Sequence, residues 1–276
     1  AHALPGIIEA AGERGVKGAV IISSGLGHGA GSLTGAVAKA AHDRKMRIIG
    51  PNCLGIMFPG IALNASFAVR HPAPGSLALI SQSGAIAAAM VDWGAEKSVG
   101  FSGVVSIGDQ LDVDVADLLD FFALDATTRA ILLYIEAVAD ARKFMSAARA
   151  AARLKPVVVV KSGRMAEGAR AAMTHTGALA GSDAVYDAAF RRAGLLRVLD
   201  LRELFDCAEL LGRHVRAPEG KRLAILTNGG GLGILAVDRL AELGGIAPAL
   251  TPESTAKLDA VLPPTWSKTN TIDIPG

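Results

Sequence analysis

The sequence predicts an α/β protein built on parallel sheets, and three observations carry that prediction. Short apolar strands alternate with stretches of helical periodicity along most of the chain, the signature of repeated βα units. One strand, in KPVVVVKSG (155–163), holds four consecutive valines and reads as buried on both faces. The composition, 51% hydrophobic and 20% charged over 276 residues with 32 glycines, suits a large core divided among two or three modest units.

Taken in order, residues 4–27 give a helix, a strand over 18–22 and a Ser-Gly turn. An amphipathic helix over 33–43 follows, then a short strand at Ile48 and Ile49 running into Gly-Pro-Asn-Cys. A doubly wound domain ordinarily opens on a strand and a glycine turn. A start on a helix therefore implies that the first βα units are missing and that the sequence is a fragment. PAPG (72–75) marks a connector. After it, LALISQSGAIAAAMVDWGAEKSVG reads as strand, tight turn, helix and glycine stop, GVVSIGD as a strand, and DVADLLDFFALD as a helix capped by Asp112 or Asp114. AILLYIE is a strand ending in Glu136, ARKFMSAARAAARL a helix, and the valine strand leads into an irregular loop containing His175. Ser182 or Asp183 caps the next helix and Gly194 stops it. Four such βα units predict a flavodoxin-like half. RAPEG (216–220) is a second connector, beyond which KRLAILTNGGGLGILAVDRLAELGG repeats strand, small-residue turn and helix. A strand over 246–250, a short helix from Pro252 and a final NTIDIPG leave this third unit incomplete.

Several function classes are disfavoured. The formal net charge is +2 with both signs interspersed, and no basic stripe or aromatic platform points to nucleic acid. The longest apolar run, near 77–91, is broken by Ser-Gln-Ser-Gly and is too short to span a bilayer, so no membrane partner is expected. Cys53 and Cys207 lie far apart without CxxC spacing. Neither a disulfide framework nor a metal site is expected, and a reducing cytoplasm is the simplest location. No signal peptide pattern opens the sequence.

The segments 77–91 and 223–237 form an internal repeat in which an apolar strand runs through small residues directly into an apolar helix. At Ser83-Gly84 and Gly230-Gly231 this leaves helix N-termini with bare backbone N–H groups, which bind anions through the free amides and the macrodipole. Each is worth about 0.3 to 1 kcal/mol toward a negative charge, and about 2 when partly buried. Neither is a Walker loop, and GGGLG (229–233) fails the dinucleotide spacing because Ile234 stands at the last glycine position. Small residues there also serve tight helix–strand packing.

His175 follows the carboxyl end of a central strand, where open α/β sheets bind ligands. A solvated loop histidine is the alternative. Glu136, at the end of its strand, can fix the tautomer of an imidazole and leave the other nitrogen as nucleophile, or it is a solvated strand-end acid. Lys161 and Arg164 either steady a phosphate or neutralise the loop. Cys53 reads as a buried structural thiol rather than a nucleophile, since no thiolate-stabilising cation is visible. Asp109, Asp112, Asp114 and Asp117 lack the glycine and terminal glutamate of a calcium loop and read as first-turn acids of a helix.

The segments GPNCLG (50–55), SQSGAI (81–86), the Glu136 strand, THTGALAGSD (174–183) and TNGGGLG (227–233) resemble the NDP-forming acyl-CoA synthetases. That family includes succinyl-CoA synthetase and ADP-forming acetate–CoA ligase. LNASFA, ARKFMSAARAAAR and GSDAVYDAAFRRAGLLRV are most similar to the branch fused to an ATP-grasp unit and a GNAT acetyltransferase. The resemblance implies succinyl-CoA synthetase-like domains: the C-terminal part of a Rossmann-like CoA-binding domain at 1–72, a flavodoxin-like domain with the phosphohistidine loop at 73–217, and the start of a second flavodoxin-like ligase domain at 218–276. It implies an acid–CoA ligase that interconverts acyl-CoA, ADP and phosphate with carboxylate, CoA and ATP through acyl phosphate and a phosphohistidine on a swinging loop. His175 matches the phosphorylated histidine, Glu136 its hydrogen-bonding acid, and Ser83, Gly84, Gly230 and Gly231 the phosphoryl cradle. Asn52 and Cys53 match the turn near the CoA thiol.

The family's opening glycine-rich turn, its ATP-grasp lysine and its metal carboxylates are absent. ATP or ADP and Mg2+ would therefore bind only through an ATP-grasp domain, in cis or as a separate subunit, and this chain alone would not turn over. Partners implied are acyl-CoA, phosphate, nucleotide, a GNAT domain and further copies in an oligomer. The alternative is an acyl-CoA-sensing module regulating a GNAT-fused lysine acetyltransferase. A nicotinamide-dependent oxidoreductase is disfavoured by the missing glycine fingerprint.

Overall fold

In the computed structural model, which describes residues 1–27, 29, 31–165, 167–168, 182–213 and 220–275, the chain divides into two units, 1–215 and 216–276. The first begins with α1 (Leu4–Glu13), β1 (Gly18–Val20), α2 (Leu33–Asp43) and β2 (Arg47–Ile49). The two strands pair in parallel, and Ile8, Val37 and Ile48 close a small core between them and the helices. The helix predicted over 33–43 is α2 residue for residue, because Ser32 caps it by accepting from the Gly35 N–H.

The main sheet has seven strands. A hairpin of β3 (Gly55–Phe58) and β4 (Leu63–Ser66) precedes β5 (Pro74–Ser81), α3 (Gly84–Lys97), β6 (Phe101–Ser106), α4 (Val115–Leu124) and β7 (Ala130–Ile135). Then come α5 (Ala141–Leu154), β8 (Val157–Lys161), α6 (Asp183–Ala193), β9 (Leu196–Val198) and α7 (Leu201–Gly212). The strand order is β4-β3-β6-β5-β7-β8-β9, with β6-β5-β7-β8-β9 all parallel. Counted along the chain, those five run 2-1-3-4-5, the flavodoxin-like winding whose direction switches between its first and third strands. Here that point lies between β5 and β7.

Side-chain alternation along β5 divides the core. Ala78 and Ile80 face Leu119, Phe122, Phe144 and Phe190 of α4, α5 and α6, while Leu77 and Leu79 face Met90 of α3 and Leu204 of α7. All five residues of β8 are buried, as four valines in a row predict.

In the first unit, several expectations differ from the structure. The sequence reading passes over the hairpin 55–66, which extends the main sheet by pairing β3 antiparallel to β6, Ile56 with Val105 and Met57 with Val104. The connector at 72–75 is shorter than read, since β5 starts at Pro74. Helix α3 stops at Ser98, left-handed at φ 57°, and not at Gly100. Gly100 serves close approach instead: a Cβ there would stand 2.2 Å from Pro74 O.

The first β-pair is held to the main sheet by the segment after β6. Asp109, Leu111 and Val113 N–H groups donate to Pro51, Gly50 and Ile48 carbonyls. Asp112 accepts from the Ile48 N–H and from Arg47 Nε, each at 2.8 Å. Asp114 caps α4 in a reciprocal box with Asp117, and Lys143 reaches both carboxylates at 3.0 and 2.8 Å. These acids are neutralised by Arg47 and Lys143, which supports the helix-cap reading over the calcium one.

The second unit contains β10 (Leu226–Thr227), α8 (Gly230–Glu242), α9 (Pro252–Asp259) and β11 (Ile272–Asp273). β10 pairs in parallel with β11, while the strand predicted over 246–250 is a single parallel bridge from Arg222 to Ile246. Asn270 pins this arrangement, accepting from the Ile225 N–H and donating to the Leu223 and Pro248 carbonyls.

Burial works to raise the Asp117 carboxyl, but Lys143, the Asp114 N–H and Arg47 outweigh it and hold it below the usual carboxylate value. A depressed folded pKa contributes stability above the unfolded value near 3.9, lost as pH falls through the folded one. Asp117→Asn should lower the urea midpoint at pH 7 and flatten its decline below about pH 4. An unchanged acid limb in the variant would contradict this.

Candidate functional site

The carboxyl ends of β5, β6 and β7 converge at the switch point, and the local sequence explains what stands there. At the end of β5, the buried Ser81 closes a turn: its hydroxyl donates to Ser83 O at 2.7 Å and accepts from the Ser83 N–H at 3.1 Å. Ser83 then caps α3, accepting from the Ile86 N–H at 3.3 Å. Among the described residues, the Gly84 and Ala85 N–H groups have no protein acceptor. They are the bare amides of an anion-binding helix end.

The Asn52 turn lies on the same helix end. Gly50 and Asn52 have positive φ, 92° and 57°, and the chain turns so that the Leu54 N–H donates to the buried Ser106 hydroxyl at 3.0 Å. A Cβ at Gly84 would make ordinary contact with Leu54 N and Cβ at 3.4 Å, so the Asn52 turn packs directly against this helix end. Asn52 is exposed and donates from Nδ2 to Asp109 at 3.1 Å. Cys53 is buried, its Sγ donating to Ile21 O at 3.3 Å. Burial pushes this thiol up to about 11, so it is a structural thiol that stays protonated at neutral pH.

On the other side of β5, Glu136 follows β7 and is half-buried. Its backbone N–H and that of Ala137 both donate to Gln82 Oε1, while Gln82 Nε2 donates back to Ala137 O at 3.0 Å. The Tyr134 hydroxyl lies against Ser162 and the Glu136 carboxylate; burial raises its pKa and Glu136 adds to the rise. Lys161, wholly buried at the end of β8, donates to Ser162 O and stands 4.7 Å above the Tyr186 ring. Burial lowers its pKa, opposed first by Asp183, while Arg197 lowers it further and Glu136 raises it. Lys161 is thus enclosed in the protein and is not presented as an open phosphate-steadying side chain. Gln82 is the residue that sequence reasoning missed. The available signal was a long polar amide within a run of small residues at a strand end.

In the second unit the turn recurs. The Thr227 hydroxyl donates to Gly229 O at 3.1 Å and accepts from the Gly229 N–H at 3.0 Å, as Ser81 does with Ser83. The repeat seen in the sequence is therefore a repeat of hydrogen bonds, with Gly229 in the place of Ser83. Gly230 and Gly231 open α8, whose cap carries no side-chain bond. A Cβ at Gly230 would stand 2.8 Å from Asp273 Oδ2, so a carboxylate already lies against this helix end. His175 falls outside the described residues. Among those described, no three His, Cys, Asp or Glu side chains cluster to hold a metal, and no helix is long and apolar enough to cross a membrane.

An α/β sheet wound 2-1-3-4-5 with a capped helix end and an acid at its switch point defines a flavodoxin-like protein with its site at the crevice. The family model described as succinyl-CoA ligase-like flavodoxin domain matches residues 74–211, and a CoA-binding domain model matches 1–59. The chain belongs to the succinyl-CoA ligase-like family of acyl-CoA synthetases. It is 43% identical over 276 residues to the alpha subunit of acetate–CoA ligase (ADP-forming) I of Pyrococcus furiosus, matching 99% of this chain and 59% of that one. It is 36% identical to the 4-hydroxybutyrate–CoA ligase (ADP-forming) of Nitrosopumilus maritimus, over 98% of this chain and 39% of that one. Among solved structures, the dinucleotide-forming acetyl-coenzyme A synthetase 1 of Ca. Korarchaeum cryptofilum, in complex with phosphate and ADP, superposes with a TM-score of 0.92 at 38% identity. That match covers 100% of this chain and 60% of the other. The chain thus spans no more than about three-fifths of these relatives.

The Cys53 environment gives a direct test. In the folded protein at pH 8, Cys53 should react with iodoacetamide at least about tenfold more slowly than in urea. Equal rates in the folded and unfolded protein would contradict the burial of this thiol.

Proposed function

We propose that this chain is the CoA-binding and phosphohistidine-bearing portion of an ADP-forming acid–CoA ligase, acting on a small carboxylate of the acetate type. The observation that carries the reading is the crevice at the end of β5, where the Asn52 turn packs against the helix end bearing the bare Gly84 and Ala85 amides, and Gln82 beside them bonds the Glu136 backbone. The CoA thiol end would lie at the Asn52 turn, with the Cys53 side chain packed beneath it.

In the first step a phosphate oxygen attacks the thioester carbonyl. The C–S bond breaks, the sulfur leaves with the electron pair and takes up a proton, and acyl phosphate forms. The α3 amides hold the phosphate and stabilise its charge. In the second, a ring nitrogen of His175 attacks phosphorus, the P–O bond to the acyl group breaks, and carboxylate leaves. Glu136 holds the proton on the other ring nitrogen, keeping the attacking one unprotonated. In the second unit, Gly230 and Gly231 open a helix end of the same form, and the Asp273 carboxylate against it disfavours an anion there.

Transfer onward to ADP needs Mg2+ and an ATP-grasp domain, in cis or as a separate subunit. The relative from Pyrococcus furiosus is itself named as an alpha subunit, which supports a partner chain. Two free cysteines suit a reducing, cytoplasmic setting. The acyl-CoA-sensing module attached to a GNAT acetyltransferase is the competing reading.

The test is to incubate the full-length protein and its nucleotide-binding partner with Mg2+ and [γ-32P]ATP. Acid-labile label should appear, vanish in His175→Ala, and form at least about tenfold more slowly in Glu136→Gln. Intact CoA binding with no label at all would favour the sensor.

A further inference from the structure

Where β7 leaves the sheet, two successive backbone N–H groups, of Glu136 and Ala137, lose the ladder that paired the strand upstream. Gln82 replaces it. Its own N–H continues the β5–β7 ladder to Tyr134 O at 3.1 Å. Its side-chain oxygen takes both orphan N–H groups and its side-chain nitrogen donates to the Ala137 carbonyl. A single amide thereby makes three hydrogen bonds to two adjacent residues.

The position of this amide matters more than its number of bonds. Gln82 stands between Ser81, whose hydroxyl closes the turn, and Ser83, which caps α3. The turn that presents the Gly84 and Ala85 amides therefore also carries the side chain that grips the base of Glu136. A side chain's reach is set by its Cα, so a turn at 136–137 released from Gln82 would let the carboxylate drift from the helix end. Displacements near 1 Å are enough to cost two orders of magnitude in rate.

We infer that Gln82 is a positioning residue: it fixes the Glu136 carboxylate at a set distance from the anion-binding end of α3 and so controls phosphoryl transfer to the histidine. This rests on the role given above to Glu136. It makes no contact with reacting atoms necessary and assigns Gln82 none.

The experiment is a double-mutant cycle on the full-length protein with its nucleotide-binding partner, reading the single-turnover rate of acid-labile label from Mg2+ and [γ-32P]ATP. Gln82→Ala and Glu136→Ala should each slow labelling by at least about tenfold, and the double variant should fall within about twofold of Glu136→Ala alone. Amide hydrogen exchange at 136 and 137 should quicken at least about tenfold in Gln82→Ala while the melting temperature of the chain is retained. Gln82→Met keeps the length of the side chain and removes all three of its hydrogen bonds. It carries the same cycle if Gln82→Ala does not fold, with the same non-additivity expected. Losses that multiply in the double variant overturn the inference, as does a Gln82→Ala rate equal to wild type while Glu136→Ala is slow. If Glu136→Ala itself labels at the wild-type rate, the role of the acid falls, and this inference falls with it.

Discussion

The buried hydroxyl of Ser81 fixes the turn on which the rest of the site depends. By bonding both the N–H and the carbonyl of Ser83, it makes the chain turn within two residues from the end of a buried strand into a helix. Without that closure the first amides of α3 would have no fixed direction, and Gln82 would not lie over the end of β7. The strand that delivers Ser81 is buried on both faces, with Leu77, Ala78, Leu79 and Ile80 all inaccessible. A local hydrogen-bonded turn is therefore anchored in the largest apolar core of the molecule, which is how an α/β sheet turns packing rigidity into precision at its rim.

Charge is managed differently at the crevice and away from it. Around α4, the acids Asp112, Asp114 and Asp117 are met by Arg47, Lys143 and backbone N–H groups, and they weld the first β-pair to the sheet. At the crevice the Gln82 amide bonds the Glu136 backbone N–H, the Tyr134 phenol lies against the Glu136 carboxylate, and the cation Lys161 is buried nearby. Polar groups of fixed direction in a partly buried place stabilise developing charge with little reorganisation.

Most of the fold was legible because burial wrote itself into residue type. Four valines gave β8, the Ser32 cap fixed the start of α2, and the alternation of βα units predicted the winding. The hairpin of β3 and β4 was not legible. Its burial alternates weakly, with β4 nearly all exposed, and nothing local says that an edge strand runs antiparallel to a parallel sheet. The end of α3 was misjudged since Gly100 looked like a helix stop, while its lack of a side chain serves the passage of Pro74. At the site, Ser83, Gly84 and Glu136 came from small residues and strand ends, and Asn52 from the family resemblance. Gln82 did not, since a glutamine's role depends on a partner 54 positions away. Lys161 looked available in the sequence, and only its burial shows otherwise.

The manner in which the chain enters the main sheet has a mechanical consequence. It passes from the Asn52 turn directly into β3, whose residues bond to β4 on one side and to β6 on the other. A tether would allow the first β-pair to swing, whereas a strand clamped along both flanks transmits displacement as a stiff beam does. The gap between the Asn52 turn and the start of α3 is accordingly a fixed gauge. Whatever travel a reaction in this crevice requires must be borne by the incoming molecule, or by a part of the chain outside that frame.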